Sequence, residues 1–430
     1  MNKEYNVCVS EDNFINSFLD SYYDENVFKS DGTLNKNHNS FKKTGLISKI
    51  FEDHWYTLPI ETKNTIKECR PNADKEIKKI IDCYNKDLGC TVYQCPECND
   101  FIFVGNTCKS RFCSSCGYKY KLERVDNILN TAYKCNHRQI VFTIPKEFRK
   151  YFFDFSLMHI LFEAVNLTIN SIINEEKFNK PKKNKKRKKK YKSRVKWTPG
   201  FFAFLHTFGR DLKWNPHIHI LIAEIKLGNN NSYKDVKYFD FDALSKRFQL
   251  NLLNLMSKHI GPSFDNIKRQ SFIRHSKGFY VYAESKKFNS LKEGIEYVAR
   301  YSGRCAISEN RIVDYDGESV TFCYNAHEDD SYHEVTVTAQ DFILLLLRHL
   351  IPSQFKIIRY YGFYRKKHSF HDKMVLLVAR EKIPFKKQLL KHSMSILNSF
   401  NRLPLNCPRC DIKMKYVATI TWKENCYVWF

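Results

Sequence analysis

The chain contains no run of eighteen apolar residues, so no segment suits a bilayer crossing. Its best stretch, residues 342–350, is short and ends in Arg348-His349-Leu350. The first residues, Met1-Asn2-Lys3-Glu4, lack the basic-then-apolar pattern of a secretory signal, and an intracellular protein is expected. No Gly-x-x-x-x-Gly-Lys-Ser/Thr phosphate loop occurs, which argues against a fused helicase. Negative charge is scarce too. Asp and Glu number 46 against 71 Lys and Arg, a net +25, so a polyanion such as nucleic acid is the expected partner.

The length of 430 residues allows two or three domains, and 43% hydrophobic with 15% aromatic residues implies packed cores rather than disorder. Part of the charge is one block. Residues 182–190 are all Lys or Arg except Asn184, giving eight charges, and removing them still leaves +17 (25 − 8). The block repels itself too strongly to pack and reads as a solvated loop that could touch phosphates without sequence preference.

Seven of the 15 cysteines fall between Cys83 and Cys116, both included. Clustered pairs in an intracellular chain read as zinc ligands rather than disulfides. Cys95-Pro-Glu-Cys98 and Cys113-Ser-Ser-Cys116 are two knuckles separated by fourteen residues, so one zinc tetrahedron from Cys95, Cys98, Cys113 and Cys116 is expected. Cys108, Cys90 and Cys83 are left over; one could replace a ligand, or a second metal could be shared. Cys407-Pro-Arg-Cys410 is half of another knuckle, with Cys426 as a candidate complement.

Trp214-Asn-Pro-His217-Ile-His219-Ile-Leu-Ile222 reads as a strand. Strand side chains alternate, so His217 and His219 share a face and offer two thirds of a metal site. Residues 199–207 form an earlier strand and the two make a hairpin. His206 stands 11 residues before His217 and 13 before His219, which makes it the candidate third ligand. Further strands are expected over 138–144, 278–283, 319–324 and 334–338, and helices over 11–23, 74–84, 152–174, 241–257, 291–304 and 342–350.

On the helix over 291–304, Tyr297 and Tyr301 are i,i+4 neighbours, as are Arg300 and Arg304. A metal held by neutral imidazoles can polarise a phosphoryl oxygen. A tyrosine, with a pKa of about 10, needs such help to act as a nucleophile. The arginines could hold phosphate oxygens bidentately. The sum is attack of a tyrosine oxygen on a phosphodiester, and two tyrosines one turn apart could hold two strand ends in turn. Arg359-Tyr-Tyr-Gly-Phe363 is a basic aromatic stretch suited to stacking on bases.

These motifs resemble the transposases of the insertion-sequence-91 type, two-tyrosine members of the HUH endonucleases, over residues 75–365. The segments carrying the resemblance are Cys95 to Cys116, Leu205-His-Thr-Phe-Gly209 leading into Asn215-Pro-His-Ile-His219, Glu296 to Arg304 with Ala306-Ile-Ser308 and Arg311, and Arg359 to Phe363. The chain departs from the family at Asn215 and Phe112, where histidine is common, so neither is expected as a ligand. The resemblance implies an α+β fold, an HUH core with a central antiparallel sheet flanked by helices, behind an N-terminal Cys-rich zinc-binding domain. It implies cleavage and joining of single-stranded DNA by rolling-circle transposition, Mg²⁺ or Mn²⁺ at His217, His219 and His206, nucleophiles Tyr297 and Tyr301, and DNA contacts from Arg300, Arg304, Arg311 and Arg359. Zn²⁺ is expected at Cys95, Cys98, Cys113, Cys116 and Cys108. Expected segments are an extension over 1–72, a zinc domain over 73–125, a nuclease core over 133–340 with a lysine-rich insertion at 180–196, and a helical, basic region over 341–430. The bacterial cytoplasm, at the nucleoid, is the expected location. A plasmid replication initiator or relaxase of the same chemistry, and a non-catalytic zinc-dependent DNA-binding protein, are the alternatives.

Overall fold

The computed structural model describes residues 45–83, 88–133, 135–174, 195–230, 232–236, 238–282, 293–295, 305–326, 329–365, 406–407, 409–423 and 426–429. The expected helix over 11–23, the lysine block, and Tyr297, Arg300, Tyr301 and Arg304 lie outside them. The chain divides into two compact units, one of residues 1–122, 303–350 and 384–430, the other of 123–302 and 351–383.

Among the described residues, the first unit has three helices before its strands, α1 (Leu46–His54), α2 (Ile60–Cys69) and α3 (Ala73–Ile81). Ile47, Ile50 and Phe51 recur at helical spacing, and all three are buried on one side of α1. The Ser48 hydroxyl donates to the Ile80 carbonyl at 3.0 Å and ties α1 to α3. Two antiparallel strands follow, β1 (Cys90–Gln94) and β2 (Phe101–Gly105), and then α4 (Ser114–Thr131), inside which the division between units falls.

The second unit is built on one antiparallel sheet. In chain order its strands are β3 (His137–Thr143), β4 (Trp197–Phe208), β5 (Trp214–Gly228), β6 (Tyr233–Asp235) and β7 (Val281–Tyr282). Among its described helices are α5 (Met158–Ile173), α6 (Phe241–Ile260) and α7 (Asp265–Arg274). α5 starts later than its apolar pattern suggests because Phe155 takes a left-handed φ of 67° and breaks the helical path. The Asp240 side chain caps α6 by accepting from the Ala243 N–H at 3.0 Å.

Within the first unit, residues 303–350 supply a meander of β8 (Ile312–Tyr315), β9 (Ser319–Asn325) and β10 (Tyr332–Thr338), followed by α8 (Ala339–Leu347). Thr338 caps α8 by accepting from the Asp341 N–H. Among the described residues past 340, one helix is followed by three strands. After α8 come β11 (Ile358–Gly362), β12 (Lys415–Lys423) and β13 (Cys426–Trp429). The alternating Tyr, Val, Thr, Ile and Trp of residues 415–423 suit a pleated ribbon better than a helix. The units do not follow chain order. β11 pairs with β4 in the second unit, whereas 303–340, expected in the nuclease core, group with the first.

The second unit's sheet runs β11-β4-β5-β3-β7, with β6 on β5. Alternation gives it two apolar faces. Phe201, Ala203, Leu205, Ile218, Ile220, Ile222, Ile140 and Phe142 pack under α5 and α6. Phe202, Phe204, Leu221, Ala223 and Ile225 meet Val125, Ile128 and Tyr133, together with Ile295. The candidate histidines lie on this second face.

Candidate functional site

β4 and β5 place His206 directly opposite His217 and Phe204 opposite His219. Residues paired across an antiparallel ladder share a face, so all three histidines project from the same side. Their ring centroids lie 5.3 Å (His206–His217), 4.2 Å (His206–His219) and 4.9 Å (His217–His219) apart. One ligand nitrogen from each lies within 4.8 Å of the others. Just beyond His206 the β4 register slips by one residue, where strand order gives way to the turn. Leu212 turns that corner with a left-handed φ of 60°.

The surroundings fit a metal. Burial pulls His217 down to about 4, with the nearby Arg149 charge pushing the same way. Burial also pulls His219 well below its usual value, helped by His206 and His217. Both imidazoles are therefore neutral near pH 7, the form that coordinates. The His217 Nδ1–H donates to the Asn215 carbonyl at 2.6 Å, which leaves Nε2 with its lone pair.

Gln139, one strand over on β3, lies diagonal to His219, with its amide nitrogen 3.0 Å from His219 Nδ1. Its Oε1 is buried with no partner among the described residues. Turning the amide by half a turn sets Oε1 against an Nδ1–H. That pairs Oε1 with Nδ1–H and leaves the His219 Nε2 lone pair free to coordinate. The sequence marked Gln139 only as a polar residue inside an apolar strand.

Residues 293–295, inside the span 291–304 expected to be helical, are helical, and Ile295 is fully buried in the core cluster on the histidine face. Tyr297 and Tyr301 follow in sequence, outside the described residues. Within the second unit, Arg359 is not brought to the histidines. Arg359 pairs in register with Ala203, whose side chain lies on the opposite face, and its guanidinium stacks on Phe162 at 4.0 Å. Arg311 belongs to the first unit, where its Nε donates to the Cys323 carbonyl at 2.8 Å.

The cysteines do not form the single tetrad expected. Cys83, Cys108, Cys113 and Cys116 make one cluster, and Cys95, Cys98, Cys407 and Cys410 make another, each with sulfurs within 4.8 Å of one another. The knuckle Cys95/Cys98 sits at the tip of the β1–β2 hairpin, while Cys113/Cys116 opens α4 and is completed by Cys83 just after α3. In this first cluster the Cys83–Cys116, Cys108–Cys116 and Cys113–Cys83 sulfurs are 3.7, 3.5 and 3.8 Å apart. A tetrahedron with Zn–S near 2.3 Å has edges of about 3.8 Å. The thiols of Cys108, Cys113 and Cys83 hydrogen-bond to Cys116 and lower its pKa, while the same buried contacts push Cys83 and Cys108 up. The leftover Cys83 and Cys108 are thus members of this cluster.

Residues 50–144 match the family described as "Transposase zinc-binding domain", and residues 200–370 match "Putative transposase". The chain is 24% identical to the transposase for insertion sequence element IS801 of Pseudomonas savastanoi pv. phaseolicola, across 80% of this chain and 83% of that one. These matches support a transposase of the insertion-sequence-91 type. This transposase is also 25% identical to "Putative transposase y4qJ" of Sinorhizobium fredii, over 68% of its own length and 74% of the relative's. No solved structure matches it. The zinc-binding match contains the whole Cys83/Cys108/Cys113/Cys116 cluster, whose donors fit the zinc that the domain's description implies. All three histidines and both tyrosines lie within 200–370. Among the described residues of the transposase, no helix is long and apolar enough to cross a membrane.

Proposed function

We propose that this transposase cleaves and rejoins single-stranded DNA at the ends of its element, by a rolling-circle route through a covalent 5′-phosphotyrosine. The carrying observation is the histidine trio on one sheet face, with Ile295, two residues before Tyr297, buried on that same face. On this reading the sheet and tyrosine helix are an HUH nuclease core. It acts on DNA bound in the cytoplasm at the nucleoid, and the Cys-rich residues around 73–125 serve as its zinc-binding domain.

His206, His217 and His219 would hold a divalent ion, Mg²⁺ or Mn²⁺. Bound there, such an ion supplies Lewis-acid polarisation of a phosphoryl oxygen. Gln139 and the Asn215 carbonyl keep His219 and His217 in the coordinating tautomer. The phenolic oxygen of Tyr297 or Tyr301 attacks the phosphorus. A P–O bond to tyrosine forms, the P–O3′ bond breaks, and the 3′-oxygen leaves and takes up a proton. Arg300 and Arg304 hold the non-bridging oxygens. Rejoining is the reverse step, in which a 3′-hydroxyl attacks the phosphotyrosine and releases the phenol. Two tyrosines let one strand end wait on the protein while the second is cut.

The test is cleavage of a single-stranded oligonucleotide carrying an element end, compared with its duplex, in Mn²⁺. Cleavage of the single strand should be lost in Tyr297→Phe/Tyr301→Phe and in His217→Ala/His219→Ala. Undiminished cleavage by the double tyrosine variant would remove the nucleophiles from this account. Undiminished cleavage by the histidine variant would instead remove the metal site.

A further inference from the structure

Half of the second cysteine cluster lies outside the range matched by the zinc-binding family, because Cys407 and Cys410 stand far beyond residue 144. We propose that Cys95, Cys98, Cys407 and Cys410 form a second zinc site of this transposase, one that clasps the C-terminal strand pair to the N-terminal cysteine hairpin.

The first support is that the two halves are built alike. In Cys95-Pro-Glu-Cys98-Asn99-Asp100, the Cys95 N–H donates to the Asp100 carbonyl at 2.8 Å and the Asn99 N–H to the Cys95 carbonyl at 3.1 Å. In Cys407-Pro-Arg-Cys410-Asp411-Ile412, the Cys407 N–H donates to the Ile412 carbonyl and the Asp411 N–H to the Cys407 carbonyl, both at 2.8 Å. The residue after the second cysteine is left-handed in each, with φ 58° at Asn99 and 51° at Asp411. Asn and Asp are the non-glycine residues that tolerate this best. The same turn, bonded the same way, presents two thiols from each side. That is how paired knuckles complete a tetrahedron.

The second support is that the halves are already docked. The Cys98 and Cys407 sulfurs are 3.5 Å apart, close to a tetrahedral S···S edge of about 3.8 Å. Arg409 reaches across to Asp100 at 3.0 Å. Tyr93 and Met414 enclose Cys95 and Cys407 in a small core. β12 pairs antiparallel with β1, giving the sheet order β13-β12-β1-β2. Four thiols without carboxylate or imidazole select a soft, tetrahedral ion, and zinc is the one that needs no redox partner. Cys98 and Cys407 are 309 positions apart, so this ion closes a very long loop, the arrangement in which a clip restrains the unfolded chain most.

Cadmium-113 NMR of the full chain tests this, because tetrathiolate sites resonate apart from nitrogen or oxygen sites such as the histidine trio. Two tetrathiolate resonances are expected. Cys410→His keeps a four-ligand site and so guards against mere unfolding; it should shift one resonance and leave the other in place. Hydrogen exchange of amides 415–423 should rise in Cys407→Ser/Cys410→Ser. A single tetrathiolate resonance in the native chain, or two that ignore Cys410→His, would overturn the second site.

Discussion

At the scale of single residues, the histidine site is held by what lies behind it. Gln139→Leu removes the group facing His219 Nδ1 while keeping its bulk. Loss of such a partner typically weakens a metal site by roughly 10–100-fold. Isothermal titration with Mn²⁺ should show that loss, with Gln139→Glu, which can still accept from Nδ1–H, restoring most of it. Unchanged affinity in the leucine variant would free Gln139 from this role. The pH response has a definite sign. His217 is lowered to about 4, so at neutral pH it carries no proton for the metal to displace. Mn²⁺ affinity should therefore hold as pH falls from 7 to about 5, whereas histidines near 6.5 would lose it across that range. The histidines were legible in the sequence because strand alternation is a period-2 rule. Gln139 was not, since which strand neighbours β5 on its other side is a matter of tertiary pairing.

At the scale of elements, two strand pairs decide what the motifs mean. His206 faces His217 because β4 and β5 form a hairpin in that register, and the odd spacings in sequence anticipated the geometry. The Arg359-Tyr-Tyr-Gly-Phe363 stretch looked like a base-stacking surface. It is instead edge strand β11, with Tyr361 stacked on Phe201 at 4.8 Å and Arg359 turned to the helix side. Gly362 explains how the strand ends. It has a φ of 58°, and a Cβ there would run into the Pro199 carbonyl. Gly362→Ala should cost on the order of 1–3 kcal/mol in urea unfolding. A change within a few tenths would mean that β11 adapts freely. Cysteine spacing suggested one tetrad from the two nearest knuckles. The hairpin β1–β2 instead carries its knuckle to a partner more than 300 positions on, a pairing that local spacing cannot encode.

At the scale of the whole molecule, the charge of +25 matters for grip rather than chemistry. Each phosphate contact contributes about 0.7 to the salt slope of single-strand binding. Deleting residues 182–190 removes eight charges and leaves +17. Binding should then weaken and its salt slope flatten, while the cut site and the covalent product stay the same. A loss of cutting at saturating DNA would show that the block belongs to the catalytic apparatus. The α+β class, the antiparallel sheet and the cysteine-rich unit were readable from motifs in order. The interleaving of the units was not, because residues 303–350 and 406–429 join elements distant in sequence through pairing and sulfur chemistry. In the proposed reaction Tyr297 or Tyr301 becomes bonded to DNA. Peptide mapping by mass spectrometry of the complex trapped with a single-stranded element end tests it most directly. A nucleotide mass on Tyr297 or Tyr301 is expected. A covalent nucleotide on any other residue, or cleaved DNA with no protein adduct, would contradict it.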